Sequence, residues 1–209
     1  MLLSLSGLFH SLSIVEYSRC YELNETPTVA DARLVGDRGI VWNSDHGMKL
    51  YGEGYFGQPV GIRKPKTSVF DKPLELSLIE CAYLTQKQRL NVRGHDDDTV
   101  LSVEDLLQLG SEWSEEFKDR YIVYSQLRER GYVVRPGLKF GTDFAVYEHG
   151  PGKDHAPFLV HVIPQRKGVV PLDIVRAGRL ATSVRKKFII ATVKESGEIA
   201  YYSFVWHRP

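Results

Sequence analysis

Apolar and polar positions alternate with a period of two from about Asp31, through ARLVGDRGIVW, which predicts a strand; Asn43 to Gly47 (NSDHG) predict the turn that ends it. A Gly-rich piece, LYGEGYFG, and a Pro- and Lys-rich loop, QPVGIRKPKTSVFDKP, follow. Ser77 to Glu80 (SLIE) form a capping box, with Leu76 and Cys81 placed for a hydrophobic staple, so a helix runs through Leu84. A second Ser cap at Ser102, with Asp105 behind it, starts a shorter helix ending near Gly110. From Glu112, EWSEEFKDRYIVYSQLRERG places Phe117, Tyr121, Tyr124 and Arg128 on one helical face, and Gly131 stops the helix. Acids in its first turn and Arg128 and Arg130 in its last complement the dipole.

Beyond it come a strand (YVVR), a Pro136-Gly137 turn, a long strand (LKFGTDFAVYE), a loop (GPGKDHAP) and a strand (FLVHVI). A helix from Leu172 to Lys187 and a hairpin, FIIATVK and IAYYSFVW around ESGE, complete the chain. Helices and strands alternate irregularly, which predicts an α+β (mixed α/β) protein: an extension at 1–28, a small N-terminal α/β domain at 29–110 and a C-terminal mixed-sheet domain at 111–209.

Composition narrows this little. With 43% hydrophobic and 25% charged residues the chain is expected to fold, and a net charge of +1 argues neither for nor against a polyanionic partner. Local charge matters more: Arg63, Lys64, Lys66 and Lys72 face only Asp71 in the Gly57 to Pro73 loop. Cys20 and Cys81 fit no zinc, haem or redox spacing, which points to a reduced, intracellular and cytoplasmic setting. The apolar start, MLLSLSGLFHSLSIV, lacks a basic flank and is too short to span a bilayer, so no membrane role is expected.

Three constellations could carry chemistry. The helix PLDIVRAGRLATSVRKK sets Arg176, Arg179, Arg185, Lys186 and Lys187 against an apolar stripe of Ile174, Ala177, Ala181 and Val184. On one helix Arg179 and Lys186 would share a face roughly 10 Å apart and could hold two points of a phosphodiester chain; the plainer alternative is a solvated last turn. Second, Tyr147 ends a strand, with His149 and His155 in the loop behind it. A Tyr, a His and a Lys suffice for metal-free RNA cleavage, because the nucleophilic 2′-hydroxyl already lies beside the scissile phosphate. Third, Asp143 with Gln165, Arg166 and Lys167 imitates a metal-dependent restriction- or resolvase-type nuclease. The run His95-Asp96-Asp97-Asp98 reads as a solvated loop before it reads as a chelator.

These residues resemble a known family, the catalytic subunit of the archaeal tRNA-splicing endonuclease. RGYVVRPGLKFGTDFAVYEHG, the His155 loop, FLVHVIP and RAGRLATSVRKKFIIATV with the terminal hairpin carry the likeness from Arg130 to Pro209. VGDRGIVW, LYGEGYFG and LELSLIECAYL extend it to the N-terminal half. The resemblance implies a C-terminal nuclease domain in which Tyr147 is general base on the 2′-hydroxyl, His155 general acid to the 5′-oxygen and Lys186 stabiliser of the transition state. Products would be a 2′,3′-cyclic phosphate and a 5′-hydroxyl, with no metal or cofactor. It also implies that Arg179, with Trp206 or Arg208, clamps a bulged base of precursor tRNA at bulge–helix–bulge sites, and that assembly inserts an acidic hairpin loop into a partner's basic pocket. That loop, Lys194 to Glu198, has only two acids here, and the long basic loop looks like a crenarchaeal insertion. Both favour a heterotetramer with a structural subunit over a homotetramer. Arg63, Lys64 and Lys66 are expected to touch the RNA backbone. The competing expectations are the metal-dependent DNA nuclease and a non-catalytic subunit of the same complex.

Overall fold

The computed structural model describes residues 29–65, 67–95, 98–168, 170–172, 174–175, 178–179 and 185–203. The extension at 1–28 and the residues Lys66, Trp206 and Arg208 lie outside the described residues.

The first half builds a mixed sheet. ARLVGDRGIVW is two strands, β1 (Ala30–Val35) and β2 (Arg38–Val41), because Gly36 turns the chain at φ 60°. Helix α1 (Ser44–Gly54) follows, then β3 (Gln58–Pro59), β4 (Leu74–Ser77), α2 (Leu78–Gln86), β5 (Leu90–Arg93) and β6 (Val100–Leu101). The strand order is β3-β4-β2-β1-β5-β6, with β1 and β5 parallel and the other pairs antiparallel. The expected turn at Asn43 is instead the start of α1: the Asn43 side chain accepts from the His46 amide at 3.1 Å. Asn serves turns and helix caps alike, and buried Leu50 and Tyr51 behind it decide for the helix. The basic loop is also less open than its composition suggests, since Phe70 inserts into the core.

Helix α3 (Val103–Trp113) does not stop at Gly110 but passes through it. Gly110 is there for contact: a Cβ would lie 2.2 Å from the Phe117 ring. The helix expected from Glu112 is accordingly broken, with extended Ser114 ending α3 and α4 running from Phe117 to Glu129. Next come β7 (Val133–Pro136), a 3-10 turn at Leu138–Phe140, β8 (Phe144–Tyr147), β9 (Phe158–Val162), β10 (Lys187–Val193) and β11 (Ile199–Ser203). The expected long strand therefore shrinks to β8, because Gly141 at φ 62° closes the 3-10 turn in its middle. The second sheet runs β11-β10-β9-β8-β7, with β9 and β10 parallel and the rest antiparallel. Between β9 and β10 the backbone is helical at 171–172, 174–175 and 178–179, while Lys187, expected in that helix, opens β10. Among the described residues no helix is long and apolar enough to cross a membrane.

One buried cluster reaches from Ala30 to Ile199 and joins the two sheets, with α2 and α4 between them. Two arginines of the second half lock onto the first. Arg128 donates to the Gly54 carbonyl at 2.8 Å, and Arg135 donates to the carbonyls of Tyr55 and Gly57. A smaller cluster on the other face of the second sheet contains Ala145, Ala156, Leu159, Phe188 and Ile190, with Phe140, Tyr147 and Ile174 against it.

Candidate active site

The register of the second sheet brings Tyr147, His155 and Lys186 to one end of it. Strand β8 ends at Tyr147, and antiparallel pairing sets its neighbour Val146 against Phe158, where β9 begins. Parallel pairing then sets Lys187, where β10 begins, against the same Phe158. The end of β8 and the starts of β9 and β10 thus lie side by side, spanning roughly 10 Å at the usual strand spacing. Side chains alternate along strands, so Tyr147 shares the face of Ala145, and Lys186 that of Phe188 and Ile190. The His155 loop closes the gap: Lys186 Nζ donates to the carbonyl of Ala156 at 2.5 Å, and the Lys187 amide to that of Pro157 at 2.9 Å. Lys186 does not share a helix face with Arg179, as expected from spacing, because it lies outside the helix, directly before β10.

Asp154 shapes the loop. Its Oδ2 accepts from the amides of Glu148 and His149 at 2.9 and 3.0 Å, and its Oδ1 from that of Gly150 at 2.9 Å. Three consecutive amides gripped by one carboxylate hold the chain between Tyr147 and His155 in a fixed curve, leaving the His155 side of the loop exposed. Sequence reasoning missed Asp154; the available signal was an acid two residues behind the Gly150-Pro151-Gly152 run, the pattern of a side chain satisfying turn amides. His149 takes part in this loop through its backbone amide.

Tyr147 is half-buried. Burial lifts its phenol above the ordinary value, Arg135 draws it back only in part, and the Asp154 carboxylate pushes it further up. The free protein therefore holds Tyr147 as a neutral phenol at physiological pH.

The rival metal constellation is engaged in ion pairs, with Arg120 linking Asp143 to Glu116 and so to Lys167. Asp143 Oδ2 accepts from the Val162 amide at 2.8 Å and meets His161 Nδ1 at 2.7 Å, while Oδ1 meets Arg120 Nε at 2.7 Å. Lys167 pairs with Glu116, and Arg166 with Asp119 at 3.1 Å. Burial pushes the Asp143 carboxyl up, but His161, the Val162 amide and Arg120 outweigh it and hold the group below the usual carboxylate value. Asp98 of the acidic run pairs with Arg33 at 2.6 Å, and among the described residues no group of three potential ligands forms. Asp143 is thus a structural hub, and Asp143→Asn is expected to cost about 3 kcal/mol of unfolding free energy near neutral pH. Because the folded carboxyl titrates below the unfolded one, this contribution is complete above the ordinary carboxylate value and disappears as pH falls through the lowered one. Urea titrations at several pH values should show the two proteins converging in acid; parallel curves would contradict the assignment.

Of the expected RNA contacts, Arg179 is exposed on helical backbone. Arg63 and Lys64 are exposed and make no ion pair among the described residues. A cavity of about 310 Å³ opens between the two halves, lined by Arg38, Arg120 and Arg135 with exposed Trp113 and Leu138 at its rim.

The sheet end thus carries Tyr147 at the end of β8 and Lys186 directly before β10, with the His155 loop tied beside them. Residues 117–201 match the catalytic C-terminal domain of tRNA intron endonuclease, and residues 30–107 match its N-terminal domain. A tRNA-splicing endonuclease of Hyperthermus butylicus is 47% identical over 179 residues, 85% of this chain and 98% of that protein. Those of Pyrobaculum aerophilum and Saccharolobus solfataricus are 43% and 40% identical, over 81% and 84% of this chain and 94% and 97% of their own lengths. The chain belongs to the tRNA intron endonuclease family, and it is an endonuclease.

Proposed function

We propose that this protein excises introns from precursor tRNA by cutting bulge–helix–bulge RNA without a metal, leaving 2′,3′-cyclic phosphate and 5′-hydroxyl ends. The observation that carries this reading is the convergence of Tyr147, His155 and Lys186 at one end of the second sheet. Tyr147 takes the 2′-hydroxyl proton, the 2′-oxygen attacks phosphorus, His155 protonates the departing 5′-oxygen, and the Lys186 ammonium offsets the charge that develops on the phosphoryl oxygens. Residues 111–209 act as the catalytic domain and 29–110 as the N-terminal domain, in the cytoplasm. Arg179, with Trp206 or Arg208, clamps a bulged base by stacking and cation–π contact. Arg63, Lys64 and Lys66 meet the RNA backbone, a role supported by the exposure of the first two.

The assembly is a heterotetramer with a structural subunit. In the hairpin loop Lys194 neutralises Glu198 at 2.8 Å, which leaves Glu195 as its one acid without a cation partner among the described residues. A hairpin loop so weakly acidic favours a second subunit that carries a more acidic one; a homotetramer is the alternative, and the mass of the native complex decides between them. One gel tests the reaction itself: cleavage of intron-containing precursor tRNA should persist in excess EDTA, and the downstream product should accept labelled phosphate from a 5′-kinase without prior dephosphorylation. Loss of cleavage in EDTA, or a 5′-phosphate on that product, would refute the proposal.

A further inference from the structure

The loop carrying His155 meets the N-terminal half at Tyr55. Gly150 in that loop has φ +115°, and a Cβ there would lie 2.4 Å from the Tyr55 ring, so the ring fills the space directly over the loop backbone. Lys153, in the same loop, places its ammonium 6.0 Å from the centre of that ring. Tyr55 is itself held from three sides. Its amide donates to the Tyr51 carbonyl at 2.7 Å, its carbonyl accepts from Arg135, and the Tyr51 ring packs edge-on at 5.5 Å. Its backbone is left-handed, φ 54° and ψ 33°, at the end of α1, where glycine costs nothing and an aromatic residue is strained. Glycine stands on either side at Gly54 and Gly57, yet the strained position carries a ring. A side chain kept at such a place points to a use for it.

We infer that Tyr55 is a positioning residue, whose ring seats the 148–155 loop from the N-terminal half so that His155 faces Tyr147 across the sheet end. The inference rests on the proposed active site. Asp154 fixes the curve of the loop from within, but it binds only amides of the same loop and so cannot fix where that curve sits. Gly150 and Gly152, at φ +115° and +88°, give the loop freedom to shift once the ring is gone. A displacement of about 1 Å in a general acid is enough to cost on the order of a hundredfold in rate. The Tyr55 hydroxyl makes no hydrogen bond among the described residues, so the ring alone acts.

Single-turnover cleavage and RNA affinity, measured on the complete assembly, test this with Tyr55→Phe, Tyr55→Gly, Gly150→Ala and the double variant Tyr55→Gly/Gly150→Ala. Tyr55→Phe should cleave within about twofold of the parent. Tyr55→Gly, whose backbone is relieved rather than strained, should lose about ten- to a hundredfold in rate at unchanged affinity. Gly150→Ala should also slow cleavage, and the double variant should lose less than the product of the two single effects. Should Tyr55→Gly fail to fold, Tyr55→Asn, which tolerates the same backbone, takes its place. A parental rate in the ring-deleted variant, a slow Tyr55→Phe, or fully multiplicative losses would overturn the inference. His155→Ala, run alongside, separates the two claims: if it cleaves at the parental rate the active-site reading fails, whereas a dead His155→Ala beside a normal Tyr55→Gly removes Tyr55 alone.

Discussion

Replacing His155 by Ala is expected to lower the single-turnover cleavage rate by at least about a hundredfold, with RNA affinity and thermal midpoint nearly unchanged. The His155 side chain is exposed, so truncating it opens no cavity. The 5′-oxygen would then have to leave as an alkoxide or take its proton from water, and either course forfeits general-acid assistance. Lys186→Ala should lose a similar factor if, as proposed, the ammonium that bonds the Ala156 carbonyl also offsets phosphoryl charge. Its loss also frees one tie of the loop, so this variant alone should show a small drop in stability. His149→Ala, which keeps the backbone amide that Asp154 holds, should cleave normally. A parental rate for His155→Ala would remove that residue from the chemistry.

Tyr147→Phe adds a test through pH. Burial and Asp154 hold the phenol above its ordinary value despite Arg135, so tyrosinate is a small minority at neutral pH. If the ionised form takes the 2′-proton, the rate in acid rises about tenfold per pH unit. Tyr147→Phe should lose at least about a hundredfold and, with it, the rising acid limb. A variant that is slow but keeps the rise would show that Tyr147 only places the substrate and that another group takes the proton.

What the sequence disclosed was local. The capping boxes at Ser77 and Ser102 form as read, with both reciprocal bonds in place, because a cap is complete within four residues. Tyr147, His155 and Lys186 are proposed through their motifs, but nothing in the spacing says that Lys186 lies outside the helix, directly before β10. Gly110 looked like a stop because glycine ends many helices; it is tolerated inside α3 because the Phe117 ring needs its missing side chain. Asn43 failed for the opposite reason, since the same side-chain bond serves a turn and a helix start, and burial further along decided it. Asp154 left a local signal, but the contact of Tyr55 with Gly150 was invisible because the fold, not the sequence, lays that distant loop against its ring.

Arg128 shows the limit most clearly and carries an expected effect on stability as large as that of Asp143. From the sequence it is a cation in the last turn of a helix, worth a few tenths of a kcal/mol to about 1 kcal/mol through the dipole. In the fold it is 8% exposed. Its guanidinium donates to the Tyr124 hydroxyl at 2.9 Å and to the carbonyls of Gly54 and Val134 at 2.8 and 3.1 Å, and stacks 4.2 Å from the centre of the Phe56 ring. No carboxylate pairs with it among the described residues, so carbonyls and ring faces stabilise the charge, and the bond to Gly54 ties the helix to the first half of the chain. Arg128→Met keeps the apolar stem but strands three acceptors in the junction, at an expected cost of about 3 kcal/mol. That would be a large share of the roughly 5–15 kcal/mol typical of a folded domain. Arg128→Lys should recover little, because one ammonium can neither fork to three acceptors nor stack flat on Phe56. By contrast Arg33→Met, which breaks an exposed pair with Asp98, should cost less than about 1 kcal/mol. Urea midpoints at constant slope measure all three; an Arg128→Met shift no larger than that of Arg33→Met would mean that the guanidinium does not hold the two halves together.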